Sequence, residues 1–167
     1  MMNQQILLEA TMIGTMFLIT AGYFIRSKES ASKKAINFVT ALLGGFMVMA
    51  GTAKFFLPFA DIFAAQIELS GLPFPVLSKF AGQMGEIFAG ALFLLVLTEG
   101  KLISSKVADV IINLATLLTV VIMSVAVYVH LSPNVPAEVL PLQSKPPVLT
   151  LIVMLVALGL WWRKKKA

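Results

Sequence analysis

Apolar residues run along the chain in five long blocks, residues 6–25, 35–57, 80–97, 107–129 and 148–162. Short polar or proline-bearing stretches separate them. A helix needs about 20 residues to cross the hydrocarbon core of a bilayer. The first four blocks have or approach that length, and the fifth falls slightly short. The pattern predicts an all-α, polytopic membrane bundle of five transmembrane helices. The first block contains Glu9, which weakens it. No basic residue precedes it and no clear small-residue cleavage site follows, so it reads as a retained helix rather than a secretion signal.

The polar stretches set an expected orientation. Arg26, Lys28, Lys33 and Lys34 follow the first block, Lys101 and Lys106 separate the third from the fourth, and Arg163, Lys164, Lys165 and Lys166 follow the fifth. The other two connections hold Lys79 and Lys145. Basic loops stay on the cytoplasmic side. This predicts an N-terminus outside and a C-terminus in the cytoplasm. Pro58, Pro73, Pro75, Pro133, Pro136, Pro141, Pro146 and Pro147 all fall in or beside the two outer connections. The cytoplasmic turns are therefore expected to be simple hairpins, and the outer loops longer and stiffer.

In the first outer connection Phe59, Ile62, Phe63 and Ile67 share a helical face that Asp61 and Glu68 avoid. A short interfacial helix is expected there, either as a solvated connector or as a lid over a pocket between the spans. Gly71-Leu72-Pro73-Phe74-Pro75 then imposes a turn.

Composition narrows the chemistry. The 167 residues are 59% hydrophobic and 13% charged, with a mean hydropathy of +0.93. The net charge of +5 is explained by the cytoplasmic loops and gives no reason to expect nucleic acid. There is no cysteine and one histidine, His130. No iron–sulfur cluster, bis-histidine haem or multi-histidine metal centre is expected in this chain. A redox role would need a diffusible cofactor or another subunit.

Charges of opposite sign sit inside the second and third apolar blocks: Lys54 in the second and Glu86 in the third. A charge inside a span costs roughly 2.5–3.5 kcal/mol on the lenient insertion scales. The chain reverses between them, so an ammonium and a carboxylate are placed in the same leaflet, within reach of each other. Gly44, Gly45, Ala50 and Gly51 near Lys54, and Gly82, Gly85, Ala89 and Gly90 around Glu86, predict close helix packing. Gln83 adds a polar group three residues before Glu86. Two readings stand side by side. The pair is a structural ion pair setting helix register, or it is the polar end of a pocket in which Lys54 holds a ligand oxygen and Glu86 relays a proton.

In the fourth block Asp109, Asn113, Thr116 and Thr119 occupy a sector of about 120°. They predict interhelical hydrogen bonds or a hydrated path, and Asp109 has Lys106 as a candidate partner. His130 and Tyr128 close the outer end of this block as interfacial residues or as pocket groups. Trp161, Trp162 and the basic run after them read as an interfacial anchor.

Three motifs in this order resemble the DoxX-like family of small bacterial membrane proteins: Gly51-Thr52-Ala53-Lys54, Gly71-Leu72-Pro73-Phe74-Pro75 and Glu86-Ile87-Phe88-Ala89-Gly90. The resemblance covers roughly residues 35–162. It implies a four-helix membrane domain, residues 35–167, preceded by an added helix and cytoplasmic basic loop, residues 1–34. It also implies the bacterial inner membrane, signature roles for Lys54 and Glu86, and an association with quinone-linked redox systems or maturation complexes.

The leading expectation is a membrane subunit or accessory of a redox system with an outer-leaflet pocket for a quinone-like or other small lipophilic molecule. Lys54, Glu86, Gln83 and Tyr128 are the expected ligand-binding residues, and Glu86, Lys54 and His130 the candidates for proton chemistry. The alternative is a non-catalytic assembly factor or scaffold for a membrane or exported partner. A small transporter or proton pathway is a third class. The expected partners are the lipid bilayer and a protein partner or second copy.

Overall fold

The computed structural model describes residues 4–26, 28 and 30–166, without the side chain of Lys166. Residues 1–3, 27, 29 and 167 of the two expected domains, and the side chain of Lys166 in the expected anchor, lie outside the described residues. Six α-helices follow one another: α1 Gln4–Ile25, α2 Ala31–Ala53, α3 Phe59–Ser70, α4 Pro75–Val96, α5 Ser105–Leu131 and α6 Val148–Lys166. Two 3-10 turns, Ala137–Val139 and Pro141–Gln143, lie between α5 and α6. No strand occurs among the described residues.

Helices α1, α2, α4 and α5 are long and apolar enough to cross a membrane. They mark a membrane protein, and large apolar side chains such as Leu18, Tyr23, Val110, Leu117 and Leu155 face outward to meet lipid. The 19 residues of α6 extend about 28 Å, but the helix ends in a basic turn.

Packing is tightest between α2 and α4. A Cβ on Gly44 would lie 2.9 Å from the Gly90 carbonyl oxygen, and one on Gly51 would lie 2.8 Å from that of Gln83. The absence of side chains lets the two backbones touch, the expected device where lipid offers no hydrophobic drive. The core beside this contact is built from Leu43, Met47, Ala89, Phe93, Ile112 and Ala115, completed by Val153, Ala157 and Leu160 of α6. Several hydroxyls within the helices turn back on their own backbone: Thr40 donates to Ile36, Thr119 to Ala115 and Ser124 to Val120. This satisfies them within their own helix, and Thr119 also meets Met47 Sδ of α2 at 3.6 Å.

Two of the helix boundaries that differ from the hydropathy pattern bear on the site. Helix α2 stops at Ala53, with Lys54 as its C-cap, rather than continuing to residue 57. The turn that follows leads into Pro58, whose ring disfavours helix in the residue before it. Helix α4 begins at Pro75 rather than residue 80. Proline's fixed φ and missing N–H suit a first helical position, so its polar opening turns are helical too.

The chain reverses between α3 and α4 where the sequence predicts a turn. Gly71 caps α3 at φ 73°, in the left-handed region that glycine enters without steric penalty. Phe74 takes φ 51° immediately before Pro75.

Candidate functional site

Lys54 Nζ and Glu86 Oε1 are 2.5 Å apart. Glu86 lies about 16 Å along α4 from Pro75, deeper in its helix than the hydropathy pattern places it. Its Cβ is level with Gly51, one turn before the end of α2. The lysine side chain therefore folds back along its own helix to reach the carboxylate. Two contacts hold it in that pose. The side-chain amide of Gln83 donates to the Lys54 carbonyl at 2.7 Å. The ring of Phe63, from α3, lies 4.4 Å from Nζ and adds a cation–π contact. Phe63 reaches this position over Gly82, whose missing Cβ leaves room for the ring.

The pair borders a cavity of about 490 Å³ in the half of the bundle nearer α3. Its body is apolar, with Met12, Met47, Met49, Met123, Ile122 and Val153 among the wall residues. Methionines suit an irregular, adaptable wall. Its polar wall residues are Glu9, Lys54, Gln66, Ser78, Glu86, His130 and Thr150. Phe59, Phe63, Gln66 and Ile67 of α3 also form part of the wall, so the short helix covers the cavity.

Three buried side-chain polar atoms have no hydrogen-bond partner among the described residues: Glu86 Oε2 and His130 Nδ1, on residues that line the cavity, and Thr116 Oγ1 on α5. Glu86 is 8% exposed and His130 4%. Buried polar atoms are paired in the great majority of cases, and each exception calls for an explanation.

The site brings together Lys54, Glu86 and His130, as the sequence suggests. It does not bring Gln83 or Tyr128 to the cavity wall. Gln83 supports the Lys54 backbone instead. The Tyr128 hydroxyl donates to the Ser70 carbonyl at 3.2 Å, joined there by the hydroxyl of Ser132 at the same distance. Ser70 ends α3, so both donors satisfy a carbonyl that its helix leaves open. Tyr128 thus ties the covering helix to α5.

Glu9 has a structural role. Its Oε2 accepts from the Leu142 N–H at 2.6 Å and its Oε1 from the Gln5 side chain at 3.1 Å. Leu142 and Gln143 both have positive φ, 53° and 50°, and the Glu9 carboxylate fastens this unfavourable turn over the cavity. Further ties run from the Gln66 amide to the Val139 carbonyl and from Lys145 Nζ to the carbonyls of Ser132 and Val135. Glu9 is a charge within an apolar block, and the reasoning that singles out Glu86 applies equally to it.

At the opposite end of the bundle, Lys164 bonds both Glu99 oxygens at 2.8 and 2.6 Å and lies 3.6 Å from Asp109. Asp109 therefore pairs across to α6, correcting the expected pairing with Lys106. Trp161 Nε1 donates to Asn113 Oδ1 at 2.6 Å, and Lys165 lies 4.3 Å from the Trp161 ring. The stripe on α5 thus bonds between helices at Asp109 and Asn113. The lysine holds the Glu99 carboxyl below the usual glutamate range, chiefly through its hydrogen bond, with a smaller opposing contribution from burial.

Among the described residues no group of three or more His, Asp or Glu side chains is arranged to hold a metal ion. Comparison with family models, curated proteins and solved structures gave no match.

Proposed function

We propose that the chain is a DoxX-like protein of the bacterial cytoplasmic membrane that binds a small lipophilic molecule with an oxygen-bearing head, of the quinone type, as a membrane subunit or accessory of a redox system. In this reading α6 is a fifth span, the α3 end faces outward and the C-terminus lies in the cytoplasm. Residues 35–167 form the family domain and α1 is its addition.

One observation carries the proposal: a buried ion pair borders a largely apolar cavity while leaving one carboxylate oxygen without a protein partner. A purely structural pair would be expected to have both oxygens satisfied. The methionine-rich wall suits an apolar ring or tail, and the charged end suits its oxygen. The residues fit a quinone, which when bound would supply reversible two-electron, two-proton chemistry. Lys54 has N–H groups beyond the one directed at Glu86 and orients the head oxygen. Glu86 offers a proton acceptor at the same point. Helix α3 and the Leu142 turn limit access of water.

The test is binding of a short-chain quinone to purified protein in detergent, followed by calorimetry. Glu86→Gln and Lys54→Met are expected to weaken binding at least tenfold. Equal affinity in the wild type and both variants overturns the assignment of the head to this end of the cavity.

A further inference from the structure

Among the described residues of the cavity wall, five are exposed: Pro73, Ala81, Val121, Val125 and Leu142. Pro73 and Leu142 belong to turns at the α3 end, which hydrogen bonds fasten. The Pro73 carbonyl accepts from the Ser78 hydroxyl at 2.7 Å, and the Leu142 N–H donates to Glu9. The other three lie on the flank of the bundle, Ala81 on α4 and Val121 and Val125 on α5. These antiparallel helices meet where the Ile122 side chain packs over Gly85; a Cβ on that glycine would lie 2.7 Å from Ile122 Cδ1. One turn from this contact toward α3, Ala81 and Val125 stand at about the same depth. Ile122 also lines the cavity, so the wall at this point is made by an aliphatic side chain.

The opening faces hydrocarbon. Ala81 lies about 9 Å along α4 from Pro75, within the leaflet nearer α3. Toward the other end of the bundle the same flank continues as a groove lined by Phe88, Ala91, Leu92, Leu95, Leu114 and Leu118, all of them apolar. Leu118 lines both the groove and the cavity, so the apolar surface runs from one into the other. On a membrane-spanning flank such a surface is covered by lipid chains.

We infer that the cavity opens sideways into the bilayer between α4 and α5, and that the acyl chain of a neighbouring lipid enters there and fills its apolar body. The inference rests on the reading of the cavity as a site for a membrane-dissolved molecule. It adds the route by which such a molecule arrives and the occupant that it displaces. Apolar cavities stay dry and take up apolar molecules that fit, and the methionine-rich wall adapts to a flexible chain. The bonds of Gln66, Tyr128 and Glu9 hold the cover at the α3 end in place, which leaves the flank as the entrance.

The experiment places the full chain in liposomes of phosphatidylcholine that carries a diazirine near the end of one acyl chain. Irradiation attaches the chain to the residues it touches, and mass spectrometry of the peptides locates the adducts. Adducts are expected on Phe46 and Met49, partly buried wall residues of α2, as well as on the outward-facing Leu117 and Leu155. Ala81→Trp and Val125→Trp fill the opening, and each is expected to lower the α2 adducts at least fivefold while those on Leu155 persist. Val110→Trp, on the lipid-facing side of α5 and outside the cavity wall, is expected to leave them unchanged. Ile122→Ala widens the wall and is expected to raise them. Unchanged α2 adducts in both plugged variants overturn the inference, as do adducts confined to the outward-facing residues. A short-chain quinone that still binds by calorimetry then leaves the ligand-site reading standing. Absence of both α2 adducts and quinone binding removes that reading as well.

Discussion

The side-chain amide of Gln83 donates to the main-chain carbonyl of Lys54 at 2.7 Å. This bond crosses from α4 to the end of α2, where Lys54 is the C-cap and its carbonyl has no helical partner. It places the root of the lysine one turn of α4 from Glu86, so the ammonium meets the carboxylate on folding back.

Gln83→Leu removes that donor and leaves a part-buried carbonyl unpaired. A loss of about 1–3 kcal/mol is expected, read as a lower midpoint of unfolding in mixed detergent micelles. An unchanged midpoint would show that the Lys54 carbonyl is satisfied in another way.

The ion pair predicts marked non-additivity. Lys54→Met leaves a carboxylate in an apolar setting, and Glu86→Leu leaves an ammonium there; each is expected to cost about 3–5 kcal/mol. The double replacement leaves no orphan charge and is expected to be more stable than either single variant. Additive losses in the same unfolding assay would mean that the two groups do not depend on each other.

The glycines divide into two classes. Gly51→Ala and Gly90→Ala put a methyl group within 2.8 and 2.5 Å of backbone oxygen on the facing helix. Overpacking of this kind costs about 1–3 kcal/mol. A Cβ on Gly14 or Gly159 meets nothing within 4 Å, so alanine there is expected to be neutral or slightly stabilising through helix propensity. Comparing thermal midpoints of the four variants checks the α2–α4 contact, and equal midpoints would refute it.

The Glu99–Lys164 contact predicts a weak acid dependence. The Glu99 carboxyl is held below its unfolded value. Its contribution to stability is therefore present above the unfolded glutamate pKa and lost as pH falls through the lower folded value. Both side chains are partly exposed, so solvent screening limits the effect to about 1 kcal/mol or less. Glu99→Gln is expected to lower the midpoint at pH 7 and to converge with the wild type once the pH falls below the folded Glu99 value, measured as midpoint against pH. A constant difference across that range would contradict the assignment.

What the chain announces locally is visible in its one-dimensional pattern. Apolar runs specify helices because backbone polar groups in lipid must be paired within the segment. Small residues flanking Lys54 and Glu86 mark the faces that meet, and the Gly71–Pro75 punctuation marks the reversal before α4. The amphipathic spacing of Phe59, Phe63 and Ile67 likewise foretells α3 and the side it buries.

Other features depend on how the helices are rotated and where the loops cross, which no local pattern encodes. Glu9 meets Leu142 across 133 positions of chain, and Lys164 draws Asp109 away from its neighbour Lys106. Gln83 and Tyr128 have the chemistry of ligand-binding residues, but packing directs their donors to the carbonyls of Lys54 and Ser70. Hydropathy determined the membrane character and the meeting of two opposite charges, because desolvation alone compels both. Only the tertiary arrangement decided that one oxygen of Glu86 stays unpaired beside a cavity, since that depends on where every neighbouring donor comes to rest.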